Sequence, residues 1–372
     1  MATHKSFGSP YLRIAFALLG VMVMVTLWWG SREKILHGWN DFVAFYAGSH
    51  LAGSRDLYNQ RRMIQVEYET TGVGGEVLQF IRPPYYALLL WPLGRLPYQL
   101  SYTAWQSLSL AAVIAFVFLW PHTNRWPALW ACSWSVSLSA CFAQGQDCAF
   151  LLIWIALVLR FYKDRPFLAG LVFSFCAPKF HLFLLVPILI ALQRRWRLAS
   201  GFLTGAGAMA VVSFVAGGLT WPMDYSRMLQ SQKISPGVEI MPNLHGLLAG
   251  ASHANLWEIV LGALVAVAVG LVARRLCFEQ ALAATLVGGL LVSNHAYPAD
   301  AVVLIPALLL ILSGAQWSGL RTTAFVLLTP LASVGLILGG TPIHLLRLSL
   351  VFVVGTMAFQ RGRGNVGTSL GY

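Results

Sequence analysis

Residues 11–30 read YLRIAFALLGVMVMVTLWWG, a run whose one charge is Arg13 and whose end is marked by Trp28 and Trp29. A helix of this length rises about 30 Å, the thickness of a bilayer's hydrocarbon core. Paired tryptophans suit the membrane interface, and no A-x-A pattern offers a cleavage site. Residues 1–30 therefore read as an uncleaved signal anchor, with the end that carries Lys5 and Arg13 inside. The same texture recurs along the chain. Of its 372 residues, 58% are hydrophobic and 10% charged, whereas soluble domains carry roughly a quarter of their residues as charges. A soluble globule, a disordered chain and a disulfide scaffold are all excluded. What remains is an all-α polytopic membrane protein. The five cysteines contain no C-x-x-C pair and read as small core hydrophobes.

Further apolar runs fall at 101–120, 126–142, 149–162, 167–177, 182–192, 198–218, 256–273, 281–291, 301–312, 320–338 and 343–359. With the anchor they predict about 12 crossings, several of them short. The whole chain reads as a single integral membrane domain. Its parts are the anchor, an outer loop over 31–100, a helical bundle over 101–359 and a cytoplasmic tail over 360–372. Within the outer loop, Phe42, Phe45, Tyr46, Ser49 and Leu51 recur at near-helical spacing, which predicts a helix lying on the membrane surface. Arg82-Pro83-Pro84 then breaks the chain. The run 85–96 is too short to span, so it reads as an interfacial or re-entrant helix.

The formal charge is +12. In a soluble chain that would suggest a nucleic-acid partner; in a membrane chain it sets orientation, because basic turns stay cytoplasmic. With the N-terminus inside, the short turns at Arg125, at Arg160, Lys163 and Arg165, at Arg194, Arg195 and Arg197, and at Arg274-Arg275 all fall inside, as do Arg361 and Arg363 of the tail. Every acid except Asp164 and Glu279 falls outside. The expectation is a multi-pass protein of the cell membrane with its working face toward the periplasm or cell exterior, and no nucleic-acid partner.

Ionisable groups at membrane depth are costly and mark candidate function. On the outward side stand Asp41, Arg82, the turn Gln146-Asp147, the pair Lys179 and His181 in a broken hairpin, Asn243 and His245 in the second long loop, and Asn294, His295, Tyr297 and Asp300 in a later turn. Cations there suit an anionic headgroup, and a carboxylate suits activation of a hydroxyl. Each has a plainer reading. Asp41 and Asp147 precede apolar runs and can cap helices. Lys179 can snorkel to the interface, as can Arg347 inside the last span. Trp120, Trp126, Trp130 and Trp134 read as interfacial belt and span packing. The histidines lack the spacing of a metal site, so no metal and no cofactor is expected. No Walker loop, H-E-x-x-H or G-x-S-x-G occurs, which argues against a nucleotide hydrolase, a zinc protease and a serine hydrolase.

The strings Asn40-Asp41-Phe42, Ala44-Phe45-Tyr46-Ala47-Gly48 and Asp56-Leu57-Tyr58 resemble the first outer loop of glycosyltransferase family 87. So do Arg82-Pro83-Pro84-Tyr85, Trp91-Pro92-Leu93, Ala104-Trp105, Gly145-Gln146, Lys179 and Arg194-Arg195-Trp196-Arg197 in their order. The resemblance implies a GT-C bundle. It also implies transfer of a hexose, mannose above all, from a polyprenyl-phosphate sugar donor to a lipid or glycan acceptor outside the cytoplasm. It places the catalytic carboxylate at Asp41. The family pattern has Asn after Gly-Gln, where this chain has Asp147. On this reading Lys179, Arg82 and His295 face the donor phosphate, while Gln146, Asp147, His181, Asn243, His245 and Tyr297 contact substrate. The rival reading is a secondary transporter of an anionic solute, for which the broken helices are present but paired repeats are not. A scaffold protein is the third, and it would not need an outward acid-base cluster.

Overall fold

A computed structural model describes residues 10–30, 33, 37, 40–72, 78–121, 124–231, 237–330, 332, 336, 338 and 340–360. Lys5, Arg361, Arg363 and most of the tail lie outside the described residues, as does much of the second half of the run at 320–338. Among the described residues all regular structure is helical. Six helices among the described residues are long and apolar enough to cross a membrane: Tyr11–Gly30, Tyr98–Leu119, Pro166–Phe183, Trp196–Gly217, Ala254–Arg275 and Gly340–Ala358. Shorter apolar helices cover Cys148–Phe161, Phe278–Val292 and Pro298–Gly314. About 12 crossings were expected from apolar runs alone, and one of those runs, 126–142, is not a single helix. That run breaks at Trp134-Ser135, because the Ser135 hydroxyl accepts the Leu138 N–H at 3.1 Å and starts a new helix.

The chain divides into two compact units, Met1–Pro178 with Ser200–Pro236, and Lys179–Ala199 with Gly237–Tyr372. The first holds α1 (Pro10–Gly30), α2 (Phe42–His50), α3 (Gln60–Thr71), α4 (Pro84–Gly94), α5 (Tyr98–Leu119), α6 (Trp126–Ser133), α7 (Val136–Gln144), α8 (Cys148–Phe161) and α9 (Pro166–Phe173). It also takes most of α11 (Trp196–Gly217), and α12 (Trp221–Ser231). Helix α5 packs along α8, and α1 rests on α6 and α7. The expected helix at Phe42 forms, but it does not lie half-exposed: every residue from Phe42 to Ser49 is buried. The reason is aromatic. Phe42 meets Tyr102 at 5.4 Å and Trp105 at 5.8 Å between ring centroids, and Phe45 meets Tyr86 at 6.0 Å. Such pairs add about 0.5–1.5 kcal/mol each beyond area burial. Helices α4 and α5 thus cover the faces of α2 that the spacing alone would leave open.

In the second unit, α15 (Phe278–Val292) is buried from Gln280 through Leu291 and forms the axis. Around it stand α10 (Val186–Leu192), α14 (Ala254–Arg275), α16 (Leu304–Gly314) and α18 (Gly340–Ala358), with α17 (Ser318–Leu327) on α16 and α18 and the short α13 (Leu244–Leu247) at one end. Gln193 closes the end of α14 by donating to the carbonyls of Ala273 and Leu276 at 3.1 Å each. Arg347 does not snorkel. It is 0% exposed and donates to the backbone carbonyls of Met241 at 2.8 Å and Glu239 at 2.6 Å. It fastens the segment before α13 to the last helix.

Candidate active site

In the first unit the candidate residues meet at one turn. Helix α7 ends at Gly145, whose φ of 64° is left-handed. Its N–H bonds Phe142 O at 3.2 Å and that of Gln146 bonds Cys141 O at 2.9 Å, the paired closure of a Schellman motif. Glycine is required there twice over, since a Cβ would sit 2.6 Å from Phe42 Cβ and left-handed backbone disfavours other residues. Trp105 Nε1 fixes the turn by donating to Gly145 O at 2.9 Å.

From this turn the next two side chains point to different partners. Gln146 Nε2 donates to Asp41 Oδ2. Asp147 accepts from Arg82 through both oxygens, Nε to Oδ2 at 2.9 Å and Nη2 to Oδ1 at 3.0 Å. The side chains of this pair are 8% and 5% exposed, so it is a buried, bidentate ion pair. Burial works against the Arg82 charge, but the Asp147 carboxylate outweighs it and moves the guanidinium pKa up. Arg82 Nη1 donates to Ile81 O at 2.7 Å, and the Tyr58 hydroxyl donates to Arg82 O at 2.8 Å. The capping alternatives for the two acids are not what forms. Asn40 Oδ1, not Asp41, accepts the Phe42 N–H at 2.9 Å, and Asp147 makes no side-chain cap on α8.

In the second unit, Lys179 sits at a non-helical kink (φ −111°, ψ 38°) just after Pro178. It is 5% exposed and donates from Nζ to Asp300 Oδ1 at 2.8 Å, so it is a buried partner and not a snorkelling anchor. Asp300 Oδ2 accepts the Tyr297 N–H at 2.9 Å. His295 stands edge-on to Tyr297 at 5.0 Å and to His181 at 6.3 Å. Lys179, His181, His295 and Tyr297 therefore gather around Asp300. Asn243 is tied to the same loop, donating to Ser293 O at 2.7 Å while its Oδ1 accepts Gly246 N–H at 2.8 Å. His245 faces elsewhere, with Nδ1 3.0 Å from Glu258 Oε2. Among the described residues no group of three or more His, Cys, Asp or Glu is arranged to hold a metal ion.

Sequence reasoning named nearly all these residues but not their pairings. Arg82 and Asp147 are 65 residues apart, and Lys179 and Asp300 are 121 apart; no spacing rule reaches that far. Glu258, as the partner of His245, left no signal beyond being an acid near an apolar run. Chemically, the first unit offers a carboxylate oriented by an amide beside a neutralised buried cation. The second offers an ammonium, a carboxylate and two imidazoles in one place. The sequence matches the family model described as Glycosyltransferase family 87 over residues 80–306. No curated protein and no solved structure matches it.

Proposed function

The chain belongs to glycosyltransferase family 87, a family of membrane glycosyltransferases, and from that membership we propose that it moves a hexose, mannose as the leading candidate, from a polyprenyl-phosphate donor to a glycolipid or glycan acceptor on the outer face of the cell membrane. The transfer is an inverting single displacement. Asp41 removes the proton of an acceptor hydroxyl, whose oxygen bonds to the anomeric carbon as the bond to the phosphate oxygen breaks. Polyprenyl phosphate departs with that electron pair. A phosphate is already a good leaving group, so a divalent ion is not compulsory. Arg82, in the same unit as Asp41, is the phosphate contact of this reading, open to test by its effect on the donor KM.

One observation carries the assignment of the base: the Asp41 carboxylate is held by Gln146 instead of capping the helix it precedes. A base must present a fixed oxygen within hydrogen-bond reach of the proton it takes. Asp41 lies before the residues matched by the family model, so its role rests on this geometry and on the resemblance of its loop. The deciding experiment incubates purified protein with polyprenyl-phosphate mannose, arabinose and glucose in turn, plus a membrane lipid extract. Asp41→Asn should lose transfer by at least about 100-fold while keeping its fold and donor binding. Full turnover by that variant removes Asp41 from the role.

A further inference from the structure

A groove of about 1260 Å³ runs along α5 in the first unit. Its walls are aliphatic, with Val25 from α1, Leu110, Ile114 and Val117 from α5, and Leu129 and Leu138 from α6 and α7. Helix α1 packs on α6 and α7. Gly20 brings α1 against the Ser133 carbonyl and Trp134 ring, where a Cβ would have only 2.8 Å. Phe16 meets the same Trp134 ring at 4.9 Å. The groove follows α5 from Thr103 to Trp120, a rise of about 26 Å and so most of a bilayer's hydrocarbon.

Its two ends differ in charge. Near Trp28, Thr103 and Gln106 the lining is neutral; past Trp120 at the far end of α5 it takes in Arg125 and Trp126, with Arg160 from the last turn of α8. Both arginines are exposed, and the Arg125 guanidinium lies 5.5 Å from the centre of the Phe118 ring. Among the described residues, none that lines the groove is acidic. An apolar channel of nearly membrane length, cationic at one mouth and flanked there by tryptophans, has the charge pattern of one kind of occupant. We propose that the groove holds an anionic phospholipid of the cytoplasmic leaflet, its phosphate between Arg125 and Arg160 and an acyl chain along α5. Basic residues mark that mouth as the cytoplasmic one, and that leaflet carries the anionic lipids that such residues attract.

A sugar donor would not satisfy this pattern. Its phosphate has to reach Asp41, whose neighbour Asn40 bonds Tyr98 at the start of α5. The cationic mouth lies at the other end of that helix, about 33 Å away along its axis. The lipid site therefore stands whether or not the transferase reading holds.

The test is native mass spectrometry of the full-length protein in detergent, titrated separately with phosphatidylglycerol, phosphatidylcholine and polyprenyl phosphate. One phosphatidylglycerol should be retained in preference to phosphatidylcholine. Arg125→Gln with Arg160→Gln should weaken it about 30-fold, as expected for two cations near an anionic surface. Arg125→Lys with Arg160→Lys should restore it, which separates loss of charge from loss of fold. Val113→Trp, which fills the groove, should exclude it while the arginines stay. Equal retention of both phospholipids overturns the proposal, as does undiminished binding by the Gln variant. Displacement by equimolar polyprenyl phosphate also overturns it, and would assign the groove to that lipid instead.

Discussion

Gln146 and Asp41 are 105 residues apart and are joined by a hydrogen bond. That bond fixes the oxygen a base must present to the proton it removes. Gln146→Ala removes the donor, and the loss of alignment should lower kcat by about 100-fold, the cost of a small misplacement. If the variant folds and keeps its kcat, Gln146 is not orienting the base. A second residue sets a pH dependence of stability. Glu67 on α3 is 8% exposed, and burial pushes its carboxyl up to about 7, with the Leu78 backbone N–H pulling the other way. Unfolding returns it to about 4.5. Between those two pH values the folded chain holds more protons than the unfolded one, so stability falls as pH rises from about 4.5 to about 7 and is level above. Thermal unfolding of Glu67→Gln should show a flatter slope across that window. Parallel slopes for the two proteins would refute the assignment.

The pair Arg82–Asp147 joins the segment before α4 to the start of α8. Breaking it from either side leaves a buried charge unpaired, which costs about 3–5 kcal/mol. Arg82→Met and Asp147→Leu should each destabilise by that amount. Together they should recover most of it, because apolar groups of similar volume replace both charges. Denaturant unfolding of the two single variants and the double checks this, and simple additivity would show that the ion pair does not hold these elements together. The same scale shows how far spacing carries. Phe42, Phe45 and Tyr46 announced a helix in a polar loop, and the helix is there. Its environment was not legible, because the rings that bury it come from Phe80, Tyr86, Tyr98 and Trp105 on other elements. The break at Ser135 was missed for a related reason: a single hydroxyl bonding an N–H three residues on ends an apolar run without changing its hydropathy.

At the scale of the molecule, the orientation read from basic turns is testable without any substrate. With the exposed Cys277 replaced by Ser, a cysteine introduced at Asp56 should react with an impermeant maleimide on intact cells. One introduced at Asp164 should react only after lysis. The reverse pattern would invert the topology and place Asp41 on the cytoplasmic side. This property belongs to the whole chain because no single turn sets it; the summed bias of many short loops does.

The membrane class, the all-helical architecture, the family and the short roster of polar candidates were all readable along the chain. Each depends on composition, run length or local order, which survive in one dimension. The partners of those candidates were not readable. Whether Asp41 caps a helix or is held by Gln146, whether Lys179 snorkels or pairs with Asp300, and whether Arg347 reaches water or clasps two carbonyls all depend on what lies opposite. A buried charge takes whatever partner packing brings within about 3 Å, and only the folded chain decides which residue that is.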